Sequence, residues 1–108
     1  GADLTGANLT GIGLKDASLE YSKLTDANLT GANLTGADLE YANLQGANLT
    51  GANLCEAVLR NADLFGANLF GASLKDASLS GSNLSCTDLT MSNLTGVINA
   101  DFTGAFLG

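Results

Sequence analysis

Leu29 to Leu54 reads LTGANLTGADLEYANLQGANLTGANL, with leucine at every fifth residue. Outward in both directions the spacing holds from Leu4 to Leu94, nineteen leucines without a gap. Two residues before each leucine except Leu14 stands a small residue, usually Ala. Between them is mostly Asn, Asp or Ser. Thr often follows the leucine, and Gly often follows Thr. The unit is A-(N/D)-L-T-G, with positions numbered i−2 to i+2 around the leucine at i.

A period of five suits neither regular element. On an α-helix five residues advance about 500°, so the leucines would spiral around the axis without forming a stripe. On a straight strand an odd period sends alternate leucines to opposite faces. The chain must therefore turn once per repeat. Positions i−2 to i form a short extended segment that points i−2 and i inward and i−1 outward. Positions i+1 and i+2 are the corner. Gly at i+2, as at Gly31 and Gly51, suits a type II turn, whose second central residue needs a positive φ. Asp16, Tyr21, Asp26, Tyr41, Glu56, Asn61, Asp76, Cys86 and Met91 replace it elsewhere and leave room there for another turn type.

Turning in one sense coils the chain, and parallel crossovers are overwhelmingly right-handed. LEY recurs at Leu19 and Leu39, and LTGANL at Leu29 and Leu49, both twenty residues apart. LKDASL recurs at Leu14 and Leu74, a gap that fits coils of fifteen or twenty. The balance favours four repeats per coil. With this motif the chain resembles the pentapeptide-repeat family, abundant in cyanobacteria. The resemblance implies an all-β fold, a right-handed quadrilateral parallel β-helix of about five coils.

The pattern divides the chain at residue 96. Residues 1–96 are regular repeats. Residues 97–108 are expected to be register-shifted and to form the C-terminal end or cap. Continued by fives, Asn99 would enter the core, where an unpaired amide is costly. Ala100-Asp101-Phe102-Thr103-Gly104 restores the motif, so Val97-Ile98-Asn99 reads as a three-residue insertion, with Phe102 inward and Phe106 outward. The absence of an initiating Met suggests a processed chain or an excerpt of a longer one. Cys55 and Cys86 fall about one and a half coils apart on opposite sides, too far for the roughly 7 Å that a disulfide spans between Cα atoms. Free thiols fit a reducing compartment, so the expected location is the cytoplasm. The thylakoid lumen or another extracytoplasmic site is the alternative if a targeting segment is removed.

The chemistry-bearing residues point away from catalysis. There is no His, no cluster spaced to hold a metal, and no base beside a Ser or Cys. The leucine-packed interior leaves no pocket, so neither cofactor nor small-molecule ligand is expected. No apolar run is long enough to span a membrane. The net charge of −7 speaks against direct nucleic-acid binding, and none is expected.

What remains is surface. Residues twenty apart should stack about 4.8 Å apart. Asn8, Asn28, Asn48, Asn68 and Asp88 would then form one column, able to bond along its length. Tyr21 would lie over Tyr41, and Glu40 beside Arg60. Phe65 and Phe70, both at i+1, should point outward into polar surroundings. Phe65, Phe70, Tyr21 and Tyr41 are the candidate contacts for a protein partner; scattered apolar residues and simple ring stacking are the bland readings. Phe102, Phe106 and Leu107 are the candidates for an end-to-end homodimer, since solenoid ends expose core and open backbone.

The main functional expectation is a non-enzymatic scaffold presenting rigid side-chain columns. One alternative follows from the resemblance, since some family members mimic DNA and bind gyrase. An acidic rod of about 26 Å would need about fifteen negative charges to match duplex DNA. Here eleven acids are offset by four bases, without a continuous stripe. A second alternative is ice binding through Thr columns, but the T-x-T array it calls for is missing.

Overall fold

A computed structural model describes all residues, Gly1 to Gly108. It contains neither α-helix nor extended strand, only isolated parallel bridges separated by turns. The bridges join i−1 residues twenty apart: Asn8 to Asn28, Asn28 to Asn48, Asn48 to Asn68. The molecule measures 29 × 21 × 20 Å, close to the rod length expected from stacked coils.

Two sets of backbone hydrogen bonds build it. At each corner the i−2 amide of the following repeat donates to the leucine carbonyl, as Ala27 does to Leu24 at 3.0 Å. Between coils, the Leu29 amide donates to Asn48 O at 2.7 Å, and the Asn48 amide donates back to Ala27 O at 2.9 Å. Buried backbone polar groups must be paired, and here the coil above or below pairs them. Leucine and alanine alternate inward and form one continuous core from Leu24 to Leu89. Leu29 through Leu79 are wholly buried.

Every corner has a positive φ at i+2, whether or not it carries glycine. Gly31 has φ 66°, Tyr41 59° and Glu56 60°. The i+1 residues have none, which is the type II pattern. The room left for another turn at non-glycine corners is thus not used. The left-handed region costs an L-residue roughly 1–2 kcal/mol, and the chain accepts that cost to keep the stack in register.

The outward polar residues also depart from expectation. The Asn column does not form an amide ladder. Each Asn or Asp at i−1 instead turns its Oδ1 onto the i+1 amide of its own repeat, as in Asn28 with Thr30 (3.1 Å) and Asn68 with Phe70 (2.9 Å). Where i+1 is Thr, its hydroxyl commonly donates to the same oxygen, at 2.7 Å for Thr30. This local closure, an Asx-type turn, explains the (N/D)-L-T core of the unit. Among the i−1 columns one side-chain bond does climb: Asn83 Nδ2 donates to Asp63 Oδ1 at 3.3 Å.

The register changes at the C-terminal end, but not by an insertion of three. Ile98 still bridges Ser78, twenty residues below, whereas Phe106 bridges Asp88, only eighteen below. Val97 and Ile98 therefore keep their places. The following corner, with Asn99 at φ 54°, is two residues short. Losing two and gaining three are equivalent modulo five, so the periodicity alone could not separate them. The shortened corner keeps Asn99 from continuing the leucine column. Phe102 packs against the core, half-buried.

Candidate interaction surface

The candidate residues sit in two places. Tyr21 and Tyr41 share one corner. Their rings stack at a centroid distance of 5.0 Å and an interplanar angle of 9°, and Tyr21 is 65% exposed. Beside them Arg60 pairs with Glu40 at 3.4 Å. An exposed pair of this kind contributes little.

Phe65 and Phe70 follow from the motif. Each occupies the i+1 place usually held by Thr, and its amide is fixed by Asp63 or Asn68. With no hydroxyl to fold back, each ring stays outside, just under half exposed. The two residues occupy the corners at either side of the face that carries Asn68.

Stacking joins this pair to the C-terminal group. Asp88 stands over Asn68, and Phe106 stands over Asp88. Met91 lies at the adjoining corner, 77% exposed, and Phe106 is 65% exposed. Phe65, Phe70, Met91 and Phe106 thus border one lateral face. Sequence reasoning treated the phenylalanine pair and the terminal group as separate surfaces and passed over Met91. The signal was available: Met91 falls in a column of Gly11, Gly31, Gly51 and Gly71. Phe102 is not part of the strip. By register Leu107 occupies a leucine place above Leu89, and it is half exposed.

Between Asp88, Thr90, Phe106 and Leu107 lies an open hollow of about 700 Å³ that also touches Cys86. The hollow lies at the C-terminal end, outside the leucine-packed interior. The hollow holds a thiol and a carboxylate but no imidazole, since the chain has no His. Both cysteines are free; Cys55 Sγ lies 3.1 Å from Ser73 Oγ. No three His, Cys, Asp or Glu side chains group to hold a metal ion. No helix is long and apolar enough to cross a membrane.

The acids are dispersed. Asp3 and Asp101 have carboxyl groups held below the usual range, first by the hydroxyls of Thr5 and Thr103 and then by those residues' amides. These are corner contacts, not paired catalytic acids.

The model of the family described as pentapeptide repeats matches the chain in eight copies, over residues 1–36, 14–51, 37–75 and 62–98. Among solved structures, the chain is similar to a pentapeptide repeat protein from the Arabidopsis thaliana thylakoid lumen. The two share 34% identity at a TM-score of 0.80, covering 82% of this chain and 62% of that one. It is also similar to the pentapeptide repeat protein Rfr23 from the cyanobacterium Cyanothece 51142, with 31% identity and a TM-score of 0.74 over 98% of this chain and 64% of that one. A third, from Nostoc Pcc 7120, gives 38% identity and a TM-score of 0.71 over 99% and 81%. The chain spans less than two thirds of the length of the first two. No curated protein gives a significant match.

Proposed function

The chain belongs to the pentapeptide-repeat family and shares its right-handed β-helix, and on that premise we propose that it is a non-enzymatic scaffold that presents fixed side-chain columns to a protein partner. In this reading the helix is quadrilateral, with four pentapeptides to each of about five coils. Its parts are the regular helix of residues 1–96 and an end segment, 97–108. The observation that carries the reading is the lateral strip of Phe65, Phe70, Met91 and Phe106, held on a backbone of hydrogen-bonded coils. Exposed apolar groups gathered on one face mark contact sites. Such a contact works by geometry: the columns are ordered before binding, so little entropy is lost on association. The Tyr21–Tyr41 corner is a second contact point, and the end formed by Phe106 and Leu107 offers an end-to-end contact between copies. A cytoplasmic location accords with the free thiols.

A photo-crosslinking amino acid in place of Phe70 should capture a protein in an extract of the source organism, while the same probe at Ser73, on the next face, should not. No adduct at Phe70 would contradict the reading. A gyrase supercoiling assay addresses the DNA-mimic alternative, and no inhibition at micromolar protein is expected. Ice binding loses its main support because Thr10, Thr30 and Thr50 turn their hydroxyls onto Asn8, Asn28 and Asn48.

A further inference from the structure

The face bordered by Phe65 and Phe70 differs from the rest of the rod in charge. Its centre carries Asn8, Asn28, Asn48, Asn68 and Asp88. One corner carries Thr10, Thr30, Thr50, Phe70 and Thr90, followed by four glycines and Met91. The other runs through Thr5, Thr25, Gln45, Phe65 and Ser85. Asp26 and Asp88 are the only charged residues on this face and its corners. The chain's other nine acids and all four bases lie elsewhere.

From this distribution we infer that the occupant of the strip is a second copy of this chain, docked side by side through the Asn8–Asp88 face. The inference rests on the reading of the strip as a contact surface and adds the identity of the partner. Charge selects it. At −7, two copies repel over most of their surfaces, and a basic partner gains most on the acid-bearing sides. This face carries the fewest charged residues, so two copies meet there with little to repel, and depletion of charge with aromatics and Met enriched is how interface centres are composed. Donors are available as well. The Oδ1 of Asn28, Asn48 and Asn68 is spent on the repeat's own corner, and their Nδ2 groups donate to nothing within the chain. These amides can donate across the interface to the partner's Asp88 carboxylate, whose Oδ1 accepts the Thr90 amide at 2.9 Å.

Size favours the side over the end. The sides run along the full 29 Å of the molecule, whereas an end spans 21 × 20 Å at most. Specific interfaces bury about 800 Å² per partner, and transient ones less. The lateral contact therefore falls in the weak, reversible class and the end contact falls further short. A lateral face also stays accessible whatever continues the solenoid at either end.

Sedimentation equilibrium of the full chain, from low micromolar to millimolar concentration, should show a reversible monomer–dimer equilibrium. Phe70→Asp should weaken it about tenfold or more, as loss of an aromatic anchor does, and Tyr21→Asp, on another corner, should not. In ¹⁵N spectra recorded across the same range, the amides of Asn48, Asn68, Phe70, Asp88 and Met91 should shift with concentration. A chain that stays monomeric at millimolar concentration overturns the inference. So does a dimer indifferent to Phe70→Asp whose shifting amides are Leu94 to Asn99, which describes an end contact. A monomer that still crosslinks another protein through position 70 removes the second copy and leaves the contact surface standing. A monomer with no crosslink removes both.

Discussion

At position i−2, where Ala is the rule, three serines show what a hydroxyl costs. Ser82 Oγ donates to Leu79 O at 2.7 Å and Ser92 Oγ to Leu89 O at 2.6 Å. Ser22 Oγ is buried and has no partner. An unsatisfied buried polar group costs about 1–3 kcal/mol. Ser22→Ala should therefore raise stability by about 1 kcal/mol or more, while Ser82→Ala gives no gain. Thermal or denaturant unfolding of the two variants checks the difference in sign. A second residue-scale expectation concerns acid. The folded carboxyl groups of Asp3 and Asp101 titrate below the 3.8 of an unperturbed aspartate. Their stabilising contribution is present above that value and is lost as pH falls through the lowered folded values. Melting temperature should drop below about pH 4. The Asp3→Asn, Asp101→Asn double variant should drop less, because Asn makes the same corner closure without a proton to gain, as Asn28 does.

The element of this fold is the corner, and corners on successive coils are coupled. Asp16, Asp26, Asn61 and Asp76 take positive φ at i+2. Above them stand Gly36, Gly46, Gly81 and Gly96, and in each case the Asp or Asn Oδ1 fills the space where a Cβ on that glycine would lie. Gly51 has the same φ and open space around it. Gly51→Ala should cost about 1–2 kcal/mol from the left-handed conformation alone. Gly36→Ala should cost slightly more, because the Asp16 side chain must swing aside, and adding Asp16→Ala should bring the cost back to that of Gly51→Ala. A double-mutant cycle measures this coupling, and equal costs at the two glycines would refute it. The coupling links neighbouring coils, twenty residues apart in sequence. It is invisible within any single pentapeptide, although the columns of the sequence contain it.

Across the whole molecule, what could be read in advance was what repeats. The leucine spacing identified the inward column, the required turn and the stacking partners, because each follows from burial and alternation. Corner chemistry was less legible. The bond between Asn or Asp at i−1 and Thr at i+1 needs geometry, yet it had a signature in their co-occurrence; Lys23 before Thr25 is a repeat without it. The short corner after Ile98 was ambiguous because periodicity counts modulo five. The lateral strip emerged only when Phe65, Phe70, Met91 and Phe106 were placed on a common surface, since they belong to different repeats and positions of the unit. Function was the least legible, for the physical reason that the leucines defining the fold face inward and touch no partner. The stacking register underlies every column described, and nuclear Overhauser contacts between coils test it most directly. Contacts are expected between Asn28 and Asn48 and between Asn48 and Asn68, at a separation of twenty, changing to eighteen between Asp88 and Phe106. A contact pattern at separations of fifteen would contradict it.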